Sequence, residues 1–316
     1  MAFINSFTGL FSSSDACDID SCLHLIERRV TESMNKELLK PFSREEICHA
    51  IHHMGPLKAP GPDGFPVIFF QKNWSLLGDD SCCVVLSTLN SGSMPIDLNM
   101  TNIALIPKVK NPTCVSKFRP ISLCNVLYKV ILKVLANRLK KILPSIISPE
   151  QSAFILERLI TDNVLAVYET LQTMQTQLKE KKGFMAVKLD ISKAYDRMEW
   201  KYLEEIMKRL GFDTRWINLI LMCVTSVRYS ILVNGKPCGL ITPQRGLRQR
   251  DPISPYLFLL CAEGLNALLK KAMEEGMVTG ASMSIGDDSL LFCRSTLAQW
   301  NNLSTILNVY EKASGQ

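Results

Sequence analysis

Three aspartates stand beside apolar, strand-like stretches, and their composition is that of a metal-dependent group-transfer site. Asp287 and Asp288 lie between Ser284-Ile285-Gly286 and the apolar run Leu290-Leu291-Phe292-Cys293. Asp190 closes the run Phe184-Met185-Ala186-Val187-Lys188-Leu189 about a hundred residues earlier. Apolar strands rarely end in aspartate without a reason. Two-metal phosphoryl or nucleotidyl transfer needs such a cluster, holding ions about 3.5–4 Å apart at the attacking and leaving oxygens. Carboxylate oxygens suit Mg²⁺, a hard cation. Asp190, Asp287 and Asp288 are therefore the candidate catalytic residues and metal ligands.

The elements that must position them follow from local pattern. Ala281, Met283 and Ile285 alternate with Ser282 and Ser284, and an apolar run follows the aspartates, which predicts strand, tight turn and strand. The chain carries its own control in Leu77-Gly78-Asp79-Asp80-Ser81, which opens a stretch that reads as a helix with an acidic first turn, ending near Ser91-Gly92. Phe184 to Ile191 reads as a buried strand, turning through Ser192 to Asp196 towards a helix around Trp200, Leu203, Ile206, Met207 and Leu210. Asn234-Gly235 between Val227–Val233 and Lys236–Thr242 predicts a hairpin. Ser254 as cap and Pro255 at the first helical position predict a long helix through Phe258, Cys261, Leu265 and Leu269. Ser43 with Glu46 forms a capping box, and Phe42 with Ile47 a staple, ahead of a helix that carries His52 and His53. Thr161 to Lys182 reads as another long helix, with Val164, Val167, Tyr168 and Leu171 on one face.

Several of these segments, in this order, resemble the reverse transcriptase of LINE-type (non-LTR) retrotransposons, in wording closest to plant elements. Lys58-Ala59-Pro60-Gly61-Pro62-Asp63-Gly64 is similar to the family's KAPGPDG segment, and Asp190 to Asp196 to its DISKAYD motif. Ile106-Pro107-Lys108 and Phe118-Arg119-Pro120-Ile121-Ser122-Leu123 resemble its two fingers motifs. Arg245 to Pro255 resembles RGLRQGDPLSP, and Asp287-Asp288 stands where the family has FADD. The resemblance implies an α+β right-hand polymerase, with fingers and palm but without the thumb. It implies an RNA template, a DNA primer, deoxynucleoside triphosphates and two Mg²⁺ ions, with Mn²⁺ as an alternative.

It also implies roles for single residues. Lys108 and Arg119 would touch the incoming triphosphate, Gln249 the nucleotide or template, and Tyr195 would be the steric gate against a 2′-hydroxyl. From the residues alone, Tyr195 also reads as an apolar plug beneath the following helix, and Asp196 as a cap or salt-bridge partner and not a metal ligand. Lys108 to Lys141 is an unrelieved basic run, read as a phosphate-facing surface, and the resemblance implies that its later residues, Lys133, Arg138, Lys140 and Lys141, would follow the template backbone. Arg245 and Arg248 are read as nucleic-acid contacts in preference to ordinary solubilising charge.

Departures from the family carry their own expectations. Arg250 stands where glycine is usual and is expected to crowd the nucleotide pocket, and the first strand of the aspartate hairpin is expected to be clipped between Gly276 and Ser284. The expected organisation is a helical lead-in (1–37), fingers with palm framework (38–183) and palm core (184–316), incomplete at its C-terminus and without the preceding endonuclease. A second reading is a degenerate remnant that at most binds nucleic acid.

A net charge of +6 fits a polyanionic partner. The chain shows neither a signal peptide nor an apolar stretch of about 18 residues, so it is expected to be intracellular, nuclear or cytoplasmic, and not in a membrane. The 11 cysteines are scattered without Cys-x-x-Cys spacing and, with only 4 histidines, read as reduced thiols and not a zinc site. Oligomeric state is not legible in the sequence.

Overall fold

The computed structural model describes residues 2–177, 183–191, 193–285 and 288–316, with residues 2, 160, 175–177, 190, 281–285, 288 and 289 followed through their backbone alone. Helices and two sheets alternate along the chain. The N-terminal part is helical: α1 (Ala2–Phe11), α2 (Ile19–Leu23), α3 (Glu32–Leu38), α4 (Arg44–His52), α5 (Val67–Lys72) and α6 (Trp74–Ser91). Next come β1 (Met100–Pro107), β2 (Phe118–Cys124), α7 (Val126–Ile146), α8 (Ile160–Gln177), β3 (Phe184–Asp190), α9 (Ala194–Arg197), α10 (Trp200–Leu210) and α11 (Thr214–Thr225). The chain closes with β4 (Arg228–Val233), β5 (Lys236–Ile241), α12 (Ser254–Glu274), β6 (Gly280–Ile285), β7 (Asp288–Arg294) and α13 (Leu297–Ser314).

One sheet has the order β2-β1-β4-β5 and the other β3-β7-β6. In the first, β1 runs antiparallel to β2 and parallel to β4. The Asn-Gly turn joins β4 to β5 as its composition predicts, with Asn234 at φ 51° and Gly235 at φ 77°. In the second sheet, β6 pairs with β7 from Gly280 opposite Cys293 to Ile285 opposite Asp288. The strand expected to be clipped is thus present over six residues.

The main core packs α7, α10, α11 and α12 around fully buried Tyr128, Tyr202, Trp216 and Leu135. A smaller core lies on the four-stranded sheet, where Phe7 and Phe11 of α1 meet Ile103, Tyr229, Ile231 and Ile241. The loop from Gly55 to Pro66 is pinned by Asn125, whose Oδ1 accepts from the Asp63 amide at 3.3 Å while Nδ2 donates to the Asp97 carbonyl at 3.1 Å. Glycine is required at position 61, because a Cβ there would stand 2.3 Å from Asn125 Oδ1.

The capping box of α4 forms as predicted, with Ser43 and Glu46 exchanging hydrogen bonds. Three local expectations need correction. Helix α6 begins at Trp74, so Asp79 and Asp80 lie beyond its first turn, and Asp79 pairs with Arg44. Ile253 caps α12, leaving Ser254 as the first helical residue without a capping hydrogen bond. Val164, Tyr168 and Leu171 of α8 are exposed, and residues 178–182 of that predicted helix lie outside the described residues. Among the described residues no helix is long and apolar enough to cross a membrane, and all 11 cysteines are free thiols.

Candidate active site

Asp190 is the last residue of β3 and Asp288 the first of β7, and the antiparallel register sets them directly opposite each other. Opposed residues in such a pair have Cα atoms about 4.5–5.5 Å apart and lie on the same side of the sheet. The ladder continues through Leu189 opposite Ser289 and Val187 opposite Leu291 and ends at the two aspartates. Asp287 lies outside the described residues.

A cavity of about 170 Å³ collects residues from four distant segments. The β1–β2 hairpin supplies Lys108 and Arg119, with the Lys108 amide donating to the Lys117 carbonyl at 2.8 Å and Arg119 opposite Ile106. Lys193 and Asp196 come from the turn after β3, Gln249 from the loop before α12, and Phe7 and Leu10 from α1. Lys108, Arg119 and Gln249, three residues expected to bind substrate, therefore share one cavity. Tyr195 does not line it: the ring is half-buried and stacks on Phe258, with centroids 5.1 Å apart and planes at 17°.

Asp196 is buried, and its two carboxylate oxygens accept from Gln249 Nε2 at 3.3 and 3.4 Å. Among the described residues it forms no salt bridge, and it lies within α9 and not at its cap; its carboxylate holds the Gln249 amide. Burial pushes its pKa up to about 6, against the opposing pull of Lys193, the Gln249 hydrogen bond and Lys108.

Three arginines expected on nucleic acid are instead structural. Arg138 is 5% exposed; its guanidinium grips Glu46 at 2.7 and 2.8 Å, donates to the carbonyls of Leu38 and Pro41, and lies 3.8 Å from the Phe42 ring centroid. Arg248, also 5% exposed, donates to Asn99 and Thr101 and stacks 4.3 Å over Tyr128. Its buried neighbour Asp251 lies 3.9 Å away and is pushed up to about 6 by burial, with Arg248 opposing. Arg245 ties the Leu10 carbonyl at 2.9 Å to the Glu199 carboxylate at 3.2 Å, anchoring α1. Burial closes Arg138 and Arg248 to phosphate, while half-buried Arg245 commits Nε and Nη1 to Leu10, Ser14 and Glu199.

The lysines of α7 keep more freedom. Lys141 is exposed, Lys133 and Lys140 are half-buried, and partial burial lowers the Lys133 pKa, aided by Lys140 and Lys58. Arg250 is exposed and does not line the cavity, so it does not crowd it; its cost is a left-handed backbone, φ 69°. That conformation explains why glycine is usual there. A larger cavity, about 730 Å³, opens between the ends of α7 and α12 and holds none of the predicted site residues.

Comparison with known proteins gives the family. Residues 106–315, which run from the end of β1 through β2 to β7, match the family model described as reverse transcriptase (RNA-dependent DNA polymerase). The chain belongs to the reverse transcriptase family. Within it the chain is of the non-LTR retrotransposon kind, as its motifs imply. It is 29% identical over 85% of its length to an uncharacterized 149 kDa protein of transposon TX1 from Xenopus laevis. It is 27% identical over 86% of its length to a retrovirus-related Pol polyprotein from the type-1 retrotransposable element R2 of Popillia japonica. An uncharacterized mitochondrial protein of Arabidopsis thaliana is 48% identical over 73 residues, 22% of the chain and 60% of that protein. The reverse transcriptase chain spans 20% of the frog protein and 37% of the beetle one.

Two features of this reverse transcriptase escaped the sequence reading. Lys193 was passed over although it lies three residues after Asp190, inside the motif already singled out. The contribution of α1 carries no sequence signal, because only long-range packing brings residues 7 and 10 against the β1–β2 hairpin.

Proposed function

We propose that this reverse transcriptase domain is an RNA-directed DNA polymerase, extending a DNA primer on an RNA template from deoxynucleoside triphosphates. The direct opposition of Asp190 and Asp288 carries the reading, because the chain leaving Asp190 goes on to line a cavity containing Lys108, Arg119 and Gln249. In this reading the β1–β2 hairpin belongs to the fingers and the sheet β3-β7-β6 to the palm.

The donor set fits divalent cations. Directly opposed aspartates repel one another unless a cation lies between them, and carboxylate oxygens are hard ligands suited to Mg²⁺ or Mn²⁺. Asp190, Asp288 and Asp287 would hold two such ions, which supply activation of an attacking hydroxyl and charge neutralisation at a leaving pyrophosphate. Lys108 and Arg119 take the phosphates, the guanidinium offering two parallel N–H donors. Gln249, oriented by Asp196, supplies an amide to the base or sugar. Tyr195 stacks on Phe258 and does not line the cavity, so in this reading it makes no contact with the sugar. Lys133, Lys140 and Lys141 attract template phosphates.

One observation favours a second reading, a degenerate copy that binds nucleic acid without catalysis. With α1 in place the cavity is about 170 Å³, below the roughly 300–1,000 Å³ of typical small-molecule sites, so α1 must shift to admit a triphosphate. Primer extension by the 316-residue chain decides between the two. Extension that Asp190→Asn abolishes establishes the polymerase; a folded protein that binds template–primer and extends nothing assigns the chain to the second reading.

A further inference from the structure

The small cavity carries a third cation that neither the motif pattern nor the family description assigns. Lys108, Arg119 and Lys193 all line it, and all three are exposed. Among the described residues none of them lies within ion-pair distance of a carboxylate. Asp196, in the same cavity, is held instead by Gln249. Three cations lining one cavity, without ion-pair partners among the described residues, repel each other in the empty state, and an anion between them relieves that repulsion.

The backbone at Lys193 adds an independent observation. Lys193 sits at φ 58° and ψ 41°, the left-handed region, immediately before α9. A side chain bearing a Cβ is disfavoured there by about 1–2 kcal/mol, and glycine or asparagine is the common solution. Strain of this kind at a cavity wall points towards a role for the side chain. It shares the cavity lining with the cations of the β1–β2 hairpin, which are the residues proposed to take the triphosphate.

We propose that Lys193 is a third phosphate-binding side chain of the nucleotide cavity, its Nζ donating to triphosphate oxygens alongside Lys108 and Arg119. The proposal rests on the polymerase reading of that cavity. It makes the site selective for the more highly charged ligand, since a third cation adds little for a nucleoside and most for a triphosphate.

The test is equilibrium binding of a fluorescent deoxynucleoside triphosphate to the full chain, with unlabelled nucleoside, monophosphate and triphosphate as competitors. Lys193→Ala is expected to weaken triphosphate binding roughly tenfold or more, as loss of a charge-assisted hydrogen bond does, and to leave the nucleoside nearly unchanged. Lys193→Arg should retain most of the affinity. Lys193→Gly separates the roles: it relieves the left-handed strain, so the fold should melt no lower than wild type while triphosphate affinity falls as in Lys193→Ala. Wild-type binding that Lys108→Ala weakens and both Lys193→Ala and Lys193→Gly leave intact would overturn this proposal alone. Absence of triphosphate binding by the wild-type chain would overturn it together with the polymerase reading.

Discussion

Asp190 and Asp288 are cross-strand partners, the last residue of one strand opposite the first of another. Like charges so placed cost stability, by up to about 1 kcal/mol, until a cation intervenes. Asp288→Asn should therefore stabilise the metal-free chain slightly. Magnesium should stabilise the wild type, by about 1.4 kcal/mol at ten times its dissociation constant, and fail to stabilise Asp190→Asn or Asp288→Asn. Thermal unfolding with and without Mg²⁺ measures both effects. An equal magnesium response in all three proteins would sink the metal-site reading.

The exposed, left-handed Arg250 predicts a gain from glycine. Relief of the αL penalty outweighs the extra unfolded-state entropy, leaving a net stabilisation of roughly 0.5–1 kcal/mol for Arg250→Gly. Denaturant midpoints report it. Triphosphate affinity should stay the same, because Arg250 does not reach the cavity; a large rise in affinity would restore the crowding interpretation.

Arg138 and Lys141 lie on the same helix and should behave in opposite ways. Arg138→Ala strands Glu46 and several backbone carbonyls, and should cost about 3–5 kcal/mol of folding stability. Lys141→Ala, at an exposed position, should leave stability within about 0.5 kcal/mol and lower the salt slope of nucleic-acid binding by about one. Urea unfolding paired with a salt-titrated anisotropy assay separates the two, and an unchanged salt slope would remove Lys141 from the interface.

Asp196 gives a pH dependence with a definite sign. Its pKa rises from 3.8 to about 6, chiefly through burial, with Lys193, the Gln249 hydrogen bond and Lys108 pulling the other way. A raised carboxyl pKa means that the native state binds the extra proton, so this group's contribution is fully present below about pH 4 and is lost as pH climbs through 6. Asp196→Asn keeps an acceptor for Gln249 and removes the ionisation. Relative to wild type it should gain nothing at pH 4 and up to about 3 kcal/mol above pH 7, the upper limit for a shift of this size. Unfolding free energies at pH 4.5 and 7.5 decide it; the same difference at both values counts against the buried-charge account.

Much of the local structure was legible in the residues. Period-two alternation marked β6, the apolar run marked β3, Asn-Gly marked the β4–β5 turn, and Ser43 with Glu46 marked the start of α4. Each of these signals depends on neighbours within a few positions, where backbone hydrogen bonding imposes a period on side-chain burial. The order of motifs likewise sufficed to place the chain among reverse transcriptases.

What the charges do was decided only by tertiary structure. Nine basic residues between Lys108 and Lys141 look alike in sequence, yet Arg138 is drawn inward by Glu46, 92 positions away, while Lys141 stays in solvent. Arg245 and Arg248 are likewise spent on Glu199, Asn99 and Thr101. Conversely, Lys193 joins Lys108 and Arg119 in lining a cavity completed by the first helix. Composition determines how many charges a chain carries, and local pattern determines the elements that bear them. Whether a given charge meets a partner or water is set by long-range packing, which buries a guanidinium only where a carboxylate from another element arrives to offset its desolvation.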